Sequence, residues 1–258
     1  MLTFERYEKI LNYLENNKVA KLAELVEVTD ASESTIRRDL TILEGEKKLK
    51  RIHGGASLLK SKVAEPSMFE KQQQFTNEKK QMGERAAQFI QDGDCLFIDA
   101  GTSTQAIIPF IQAKDVVIVT NGLNIIEDAI QHQFRTYVIG GYVKSGTHAF
   151  IGKGAVDSLQ QFRFDKAFIG TNGVDIQFGY STPDPEEAQI KQLAMKQASQ
   201  SFVLADSSKF GDATFAKFAS LEDAVLITTE SDDHVYFEKV SKIANVEVVS
   251  NDDLYGNS

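Results

Sequence analysis

A single cysteine, Cys95, stands in the chain, so no intramolecular disulfide can form and a reducing compartment is expected. The four histidines, His53, His132, His148 and His234, show no HxxxH-type spacing, and no metal site is expected. The glycines of GTNG and IGG make neither a GxGxxG fingerprint nor a P-loop, so nicotinamide and nucleoside triphosphate chemistry have no support and no cofactor is expected. No segment approaches the roughly 20 apolar residues of a membrane helix. The opening MLTFERYEKI has no apolar run of signal-peptide type. These absences together predict a soluble cytoplasmic protein. Tryptophan is missing too, which excludes nothing. What is present is ordinary: 258 residues, 42% hydrophobic and 25% charged, enough for one large domain or two smaller ones.

Charge is unevenly spread. Residues 1–62 hold 12 Lys plus Arg against 10 Asp plus Glu, while the rest holds 16 against 27. A small basic module therefore precedes a larger acidic body, a sign asymmetry that suggests an anionic partner for the module. A solvated basic face would give the same count.

The module has helical spacing. Phe4, Tyr7, Ile10, Leu11 and Leu14 predict an amphipathic helix over 3–16, closed by Asn16-Asn17. A second short segment starts at Val19, with Leu22, Ala23, Leu25 and Val26 on one face. Thr29-Asp30-Ala31-Ser32 reads as a turn and N-cap, and a third helix runs to about Glu44 with Ile36, Leu40 and Leu43 inward. Ser34, Thr35, Arg37, Arg38 and Thr41 then lie off the buried stripe. A helix entering the major groove reads bases from its N-terminal part, and arginine pairs in bidentate fashion with guanine or phosphate. The stretch from Lys47 to Gly55 reads as a basic strand and turn, the shape of a wing lying against phosphates. The candidate DNA contacts are Ser32, Ser34, Thr35, Arg37 and Arg38 on the helix, with Lys50, Arg51 and His53 on the wing. Asp39 is expected to hold an arginine in place.

SESTIRRDLTILEGEKKLKRIHGGA resembles the winged helix-turn-helix of DeoR-type bacterial repressors. Where that family places a glycine in the helix-to-wing turn, this chain has Lys47, with Gly45 earlier. After the module, residues 56–80 lose periodicity and Pro66 marks a break. The expected domains are 1–57 for DNA binding, 58–76 for the linker and the start of a connecting helix, and 77–258 for the acidic body. The connecting helix is expected from Ser67 through Met82, Ala86, Phe89 and Ile90.

From residue 92, apolar strands alternate with helices: CLFID, VVIVT, TYVIG, KAFIG, FVLAD, Val225–Thr228 and Val246–Val249, with helices near 104–113, 123–132, 154–161 and 185–200. This predicts an α/β domain on a largely parallel sheet. Polar residues gather after the strands: Asp99 with Gly101, Thr102, Ser103 and Thr104; Thr120 and Asn121; Gly140 and Gly141; Thr171, Asn172 and Gly173; and Asp206, Ser207, Ser208 and Lys209. Parallel sheets bind ligands at these strand ends. Each loop alone is an ordinary turn, but their recurrence favours a small anionic polyol such as a sugar phosphate, cradled at residues 101–104 with Lys209 as a cation.

DAGTST, TNG, VIGG, FDKAFIGTNGVD and LADSSKFG also resemble the effector domain of DeoR-type repressors, a domain similar to ribose-5-phosphate isomerase. By that resemblance Thr102, Ser103 and Thr104 hold a phosphate, and Asp99, Asn121, Asn172 and Lys209 surround the sugar. Glu187 and Lys191 complete the site. MLTFERYEKIL and ASESTIRRDLTILE are most similar to fructose operon repressors of Gram-positive bacteria, which implies fructose 1-phosphate as effector; tagatose 6-phosphate and glycolytic phosphates stay open. Operator DNA and a second copy of the chain, as a dimer or tetramer, are the implied partners. The isomerases carry acidic residues in a loop resembling GADEVD. Here it reads Gly170-Thr171-Asn172-Gly173-Val174-Asp175, and an amide cannot accept the proton that isomerisation must move. A non-enzyme is therefore expected. The alternatives are an isomerase-type enzyme carrying a DNA-binding module, and a DNA-binding protein whose larger domain serves only assembly.

Overall fold

Ile10 and Leu14, one helical turn apart, are fully buried on α1 (Thr3–Asn17). The structure, a computed structural model, describes residues 2–17, 19–46, 48–52, 54–58, 63, 65–230 and 233–249. It divides into two compact units, Met1–Ser61 and Lys62–Ser258.

In the first unit α1 is followed by β1 (Val19–Lys21), α2 (Leu22–Thr29), α3 (Glu33–Gly45) and a hairpin of β2 (Leu49–Ile52) and β3 (Gly55–Leu58). Ile10, Leu14, Leu25, Ile36, Leu40, Leu43 and Leu49 form its core. Phe4, expected inward, is 69% exposed, because the stripe that meets the core is carried by Ile10 and Leu14, about two and three turns later. Val19 opens a strand and not a helix. It pairs with Ser57, so β3 runs between β1 and β2 in an antiparallel sheet. Gly55 allows that contact: a Cβ there would lie 2.0 Å from the Ala20 carbonyl oxygen. Gly54 occupies the hairpin turn with φ +73°. The helix ends at Gly45, where the Glu46 and Lys48 amides donate to the Ile42 and Leu43 carbonyls. Lys47 lies outside the described residues.

The second unit begins with α4 (Met68–Gln73) and α5 (Thr76–Ala87). One continuous helix was expected here. The break comes at Phe75, whose φ is +55°, and the buried Lys79 ammonium donates to the Lys71 and Gln74 carbonyls at the end of α4. Then follow β4 (Cys95–Ile98), α6 (Thr102–Gln105), β5 (Val117–Thr120), α7 (Leu123–Gln131), β6 (Arg135–Val138), β7 (Tyr142–Lys144), β8 (Ala149–Ile151), α8 (Lys153–Leu159), β9 (Phe164–Gly170), β10 (Gly173–Asp175), β11 (Gly179–Thr182), α9 (Pro185–Gln197), β12 (Ala198–Leu204), β13 (Ala216–Ala219), β14 (Val225–Thr229), α10 (His234–Ser241) and β15 (Asn245–Val249). The helix expected over 104–113 is only α6 and a 3-10 turn at Ile108–Phe110, because Pro109 has no N–H for a longer ladder.

Seven strands form one sheet in the order β15-β14-β12-β9-β4-β5-β6, every pair parallel. Alternate residues face opposite sides. Phe97, Ala167, Ile169 and Val203 pack with α8, α9 and α10, while Leu96, Ile98, Phe168 and Phe202 pack with α5 and α7. Chain order runs outward from β4 through β5 to β6, then returns to place β9 on the other side of β4. The β4–β9 boundary is therefore the topological switch point, where open α/β sheets bind ligands.

Candidate functional site

In the first unit, Ser32 caps α3, accepting from the Thr35 amide at 3.3 Å. Its hydroxyl also lies 3.0 Å from that of Ser34 and 2.8 Å from that of Thr35. Arg37 and Arg38 are exposed. Arg37 pairs along the helix with Glu33 at 2.6 Å, both side chains more than half exposed, so the pair adds little to stability. Arg51 reaches from the wing to α3: its guanidinium donates to the Thr41 hydroxyl at 2.9 Å and its amide to Glu44 at 2.8 Å. Lys50 is half-buried on the same strand. The structure thus brings Arg37, Thr41 and Arg51 together on one face of α3 and the wing. Asp39 does hold an arginine, but it is Arg6 of α1, through two hydrogen bonds. The Asp39 carboxylate is buried and keeps the Arg6 guanidinium charged above its ordinary pKa. His53 lies outside the described residues.

In the second unit, the loops after β4 and β9 meet at the switch point. The Lys191 ammonium, from α9, lies 2.5 Å from the Asp99 carboxylate and 3.1 Å from the Gly170 carbonyl. The Gly170 amide donates to the same carboxylate oxygen at 3.0 Å. Burial alone would favour a neutral lysine, but Asp99, Glu187 and Glu65 raise the Lys191 pKa above the ordinary value. Asn121 is buried and accepts from the Ala100 amide at 3.1 Å.

Several predicted hydroxyls are engaged by the fold. Thr104 donates to the Asp99 and Gly101 carbonyls at 2.7 and 2.8 Å. Thr120 donates to the Ile98 carbonyl at 2.6 Å and accepts from the Gly122 amide. Gly101, Thr102 and Ser103 remain half-buried at the turn. Gly140 and Gly141 follow β6, two strands from the switch point. At Gly141 a Cβ would lie 2.5 Å from the Ile151 carbonyl oxygen, a packing requirement of that turn. Lys209 follows β12. It lies 3.7 Å from Asp206, donates to Ser208 and stands 6.0 Å from the Phe75 ring centre.

A second cluster adjoins the first. Glu187 accepts from Thr147 at 2.7 Å, Lys144 at 3.0 Å and Thr182 at 3.3 Å. Lys144 also pairs with Glu65 at 2.7 Å and Asp184 at 2.9 Å. Burial alone would lower the Lys144 pKa, but the Glu65, Glu187 and Asp184 carboxylates raise it. Burial likewise pushes Glu65 up, and Lys71 and Lys144 hold it below the ordinary carboxylate range. Asn172 lies 3.5 Å from Glu65 through its amide nitrogen and accepts from Thr182 at 3.2 Å. Sequence reasoning missed Glu65, Lys71, Lys144, Thr147 and Asp184. Lys144 pairs with a residue 79 positions away, and no spacing rule reports such a contact.

Asp175, the carboxylate at the end of β10, is engaged by other partners. It accepts the Gln177 and Phe178 amides in a turn and the Tyr236 hydroxyl at 3.1 Å. Among the described residues, no group of three or more His, Cys, Asp or Glu side chains is placed to hold a metal ion. Nor is any helix among them long and apolar enough to cross a membrane.

Residues 6–62 match the DeoR-like helix-turn-helix domain, and residues 74–231 match the DeoR C-terminal sensor domain. The chain belongs to the DeoR family of transcriptional regulators. The HTH-type transcriptional regulator FruR of Bacillus subtilis (strain 168), itself uncharacterized, is 46% identical over 250 residues, 96% of this chain and 99% of that protein. The lactose phosphotransferase system repressor of Staphylococcus epidermidis (strain ATCC 35984) is 34% identical over 255 residues, 97% of this chain and 100% of that one. Among solved structures, the ribose 5-phosphate isomerase of Plasmodium falciparum aligns with a TM-score of 0.38 and 15% identity over 53% of this chain and 52% of its own, a likeness too distant to bear on chemistry. The DeoR-family assignment accounts for both units, the winged module and the parallel-sheet sensor.

Proposed function

We propose that this DeoR-family chain represses a sugar-utilisation operon, binding operator DNA through α3 and the wing and responding to a phosphorylated sugar at the switch point of its sensor unit. The observation that carries the reading is the convergence of Asp99, Asn172, Glu187 and Lys191 at the carboxyl ends of β4 and β9, in a chain whose other unit exposes Arg37 and Arg38. Asn172 and Glu187 suit sugar hydroxyls, since an amide can both donate and accept and a carboxylate accepts from hydroxyl donors. The anionic end requires cations. Lys209 after β12 is one source, and Lys71 with Lys144 is another.

The module's small positive excess binds DNA weakly as one copy, so two or more copies acting together raise affinity and match repeated half-sites. A homo-oligomer acting in the cytoplasm follows from this reading. Fructose 1-phosphate is the first ligand to test, and tagatose 6-phosphate the second. The ligand must bind the DNA-competent and DNA-incompetent states differently, or it switches nothing.

A thermal-shift panel of sugar phosphates and their unphosphorylated parents tests the reading. A shift confined to one phosphate names the effector. No shift with any of them overturns the sensing half. Turnover of ribose 5-phosphate or fructose 1-phosphate by the purified chain would instead establish an isomerase-type enzyme, which the turn-bound Asp175 argues against.

A further inference from the structure

Glu65 lies near the start of the second unit, before α4, and its carboxylate is buried there, with its side chain only 10% exposed. One carboxylate oxygen accepts from Lys71 at 2.7 Å, with the Asn172 amide at 3.5 Å. The other accepts from Lys144 at 2.7 Å. All three donors are side chains. The two other carboxylates on Lys144 have structural roles: Asp184 caps α9 through the Glu186 and Glu187 amides, and Glu187 holds Thr147 and Thr182. Glu65 can therefore be exchanged for another anion without undoing a helix cap or a strand connection.

The surrounding charges point to what replaces it. Lys71 and Lys144 are each 23% exposed, so solvent and small solutes reach them. A phosphoryl group carries about −1.5 to −2 charge near neutral pH and three acceptor oxygens, against one charge and two oxygens for a carboxylate. It is the stronger partner for two lysines that already hold an anion. Lys209, by contrast, faces Asp206 and the Phe75 ring, and the Thr104 hydroxyl is bonded to backbone.

The segment that follows Glu65 is fixed by few contacts. A capping box of Ser67 and Glu70 opens α4, and the Met68 amide donates to the Gly146 carbonyl at 2.9 Å. It ends at Phe75 in the left-handed region, a conformation unfavourable for a bulky residue. Loss of the Glu65 anchor would leave this stretch held by the α4 capping box, the Met68 amide and the Lys79 ammonium.

We propose that Glu65 is a tethered internal anion: its carboxylate occupies, at Lys71, Lys144 and Asn172, the place taken by the ligand's phosphoryl group, so that binding expels Glu65 and loosens the stretch from Glu65 to Phe75. This rests on the sugar-phosphate reading for the identity of the ligand. The exchange itself is a property of any phosphate. A tethered competitor lowers apparent affinity by the fraction of time the site is vacant, which sets the size of the effect.

Titration calorimetry of the full chain with inorganic phosphate, fructose 1-phosphate and fructose, for wild type and Glu65→Gln, tests the proposal. Glu65→Gln is expected to bind inorganic phosphate and fructose 1-phosphate roughly tenfold more tightly, with fructose unchanged. Phosphate affinity equal to or weaker than wild type overturns it. Hydrogen exchange in the wild type decides the same point if the variant fails to fold: amides 65–75 should exchange faster in saturating phosphate, and unchanged or slower exchange overturns the proposal. A phosphate gain in Glu65→Gln without sugar-phosphate binding by either protein keeps the exchange and removes the sugar-phosphate reading. Sugar-phosphate binding that Glu65→Gln leaves unchanged does the reverse.

Discussion

The Lys191 ammonium lies 2.5 Å from the Asp99 carboxylate, and both side chains are buried, at 7% and 2% exposure. This pair joins α9 to the end of β4, while the Gly170 amide on the same carboxylate joins β4 to β9. The switch point is thus braced by an ion pair with hydrogen bonds on both members. Such pairs add little net stability when compared with apolar replacements, but losing one partner strands a buried charge. Lys191→Met is therefore expected to destabilise the sensor unit by about 3–5 kcal/mol, measured by urea unfolding. Lys191→Met combined with Asp99→Leu should recover part of that loss, because no charge is left unpaired.

The same pairs set pH dependence. The Lys191 pKa is raised on folding, so its contribution is fully present below the ordinary lysine value of 10.5 and is lost as pH climbs through the higher folded value. Glu65 and Asp184 are lowered. For Asp184, burial opposes the shift and the Lys144 hydrogen bond dominates it. Their contributions are present above the ordinary values of 4.5 and 3.8 and are lost as pH falls through the lower folded ones. The sensor unit should lose stability first below about pH 4 and again above about pH 10, as followed by circular dichroism melts. A melting temperature flat from pH 3 to 5 would contradict the Glu65 and Asp184 contacts.

Much of this fold was legible in the residues. All seven strands of the main sheet correspond to apolar runs bounded by turn residues; the inner ones, buried on both faces, need no polar alternation, while the edge strands β6 and β15 are partly exposed. The buried stripe Ile36, Leu40 and Leu43 likewise fixed which face of α3 carries Arg37 and Arg38. The break at Phe75 was not legible, since it depends on a lysine four residues on reaching back to cap α4. Of the residues expected around the sugar, Asp99, Asn172, Glu187 and Lys191 lie near one another. Thr104 and Thr120 were anticipated for their hydroxyls, which the backbone engages. Turn-forming and ligand-binding hydroxyls look alike in sequence, and only geometry separates them. Lys144 and Glu65 gave no signal, because charged residues in irregular stretches read as solvated surface.

Asp39 and Arg6 make a separate prediction for the first unit. Their paired hydrogen bonds join α3 to α1, and the Asp39 carboxylate is buried. Asp39→Ala should lower the melting temperature of the full chain's first transition and weaken operator binding through a loosened α3. Arg37→Ala and Arg38→Ala should leave the melting profile unchanged, as both side chains are exposed. Each should weaken operator binding by roughly tenfold, in keeping with about 1–3 kcal/mol for an arginine contact in the groove. Unchanged operator affinity in both arginine variants would remove α3 from the recognition role.

Asn172 accepts from Thr182 at 3.2 Å while its amide faces Glu65. In the proposed sensor it contacts the ligand and not the DNA. Asn172→Ala should therefore raise the sugar-phosphate concentration needed for half-maximal response by about tenfold, the size of one neutral hydrogen bond lost together with its desolvated partner. Operator affinity without ligand should stay at the wild-type value. Asn172→Asp separates recognition from chemistry: it restores a carboxylate beside Glu65 and Glu187, so it should weaken phosphate binding by repulsion. Appearance of isomerase turnover in that variant would show that the crevice retains the rest of a catalytic site, and that the amide alone holds the chain to sensing.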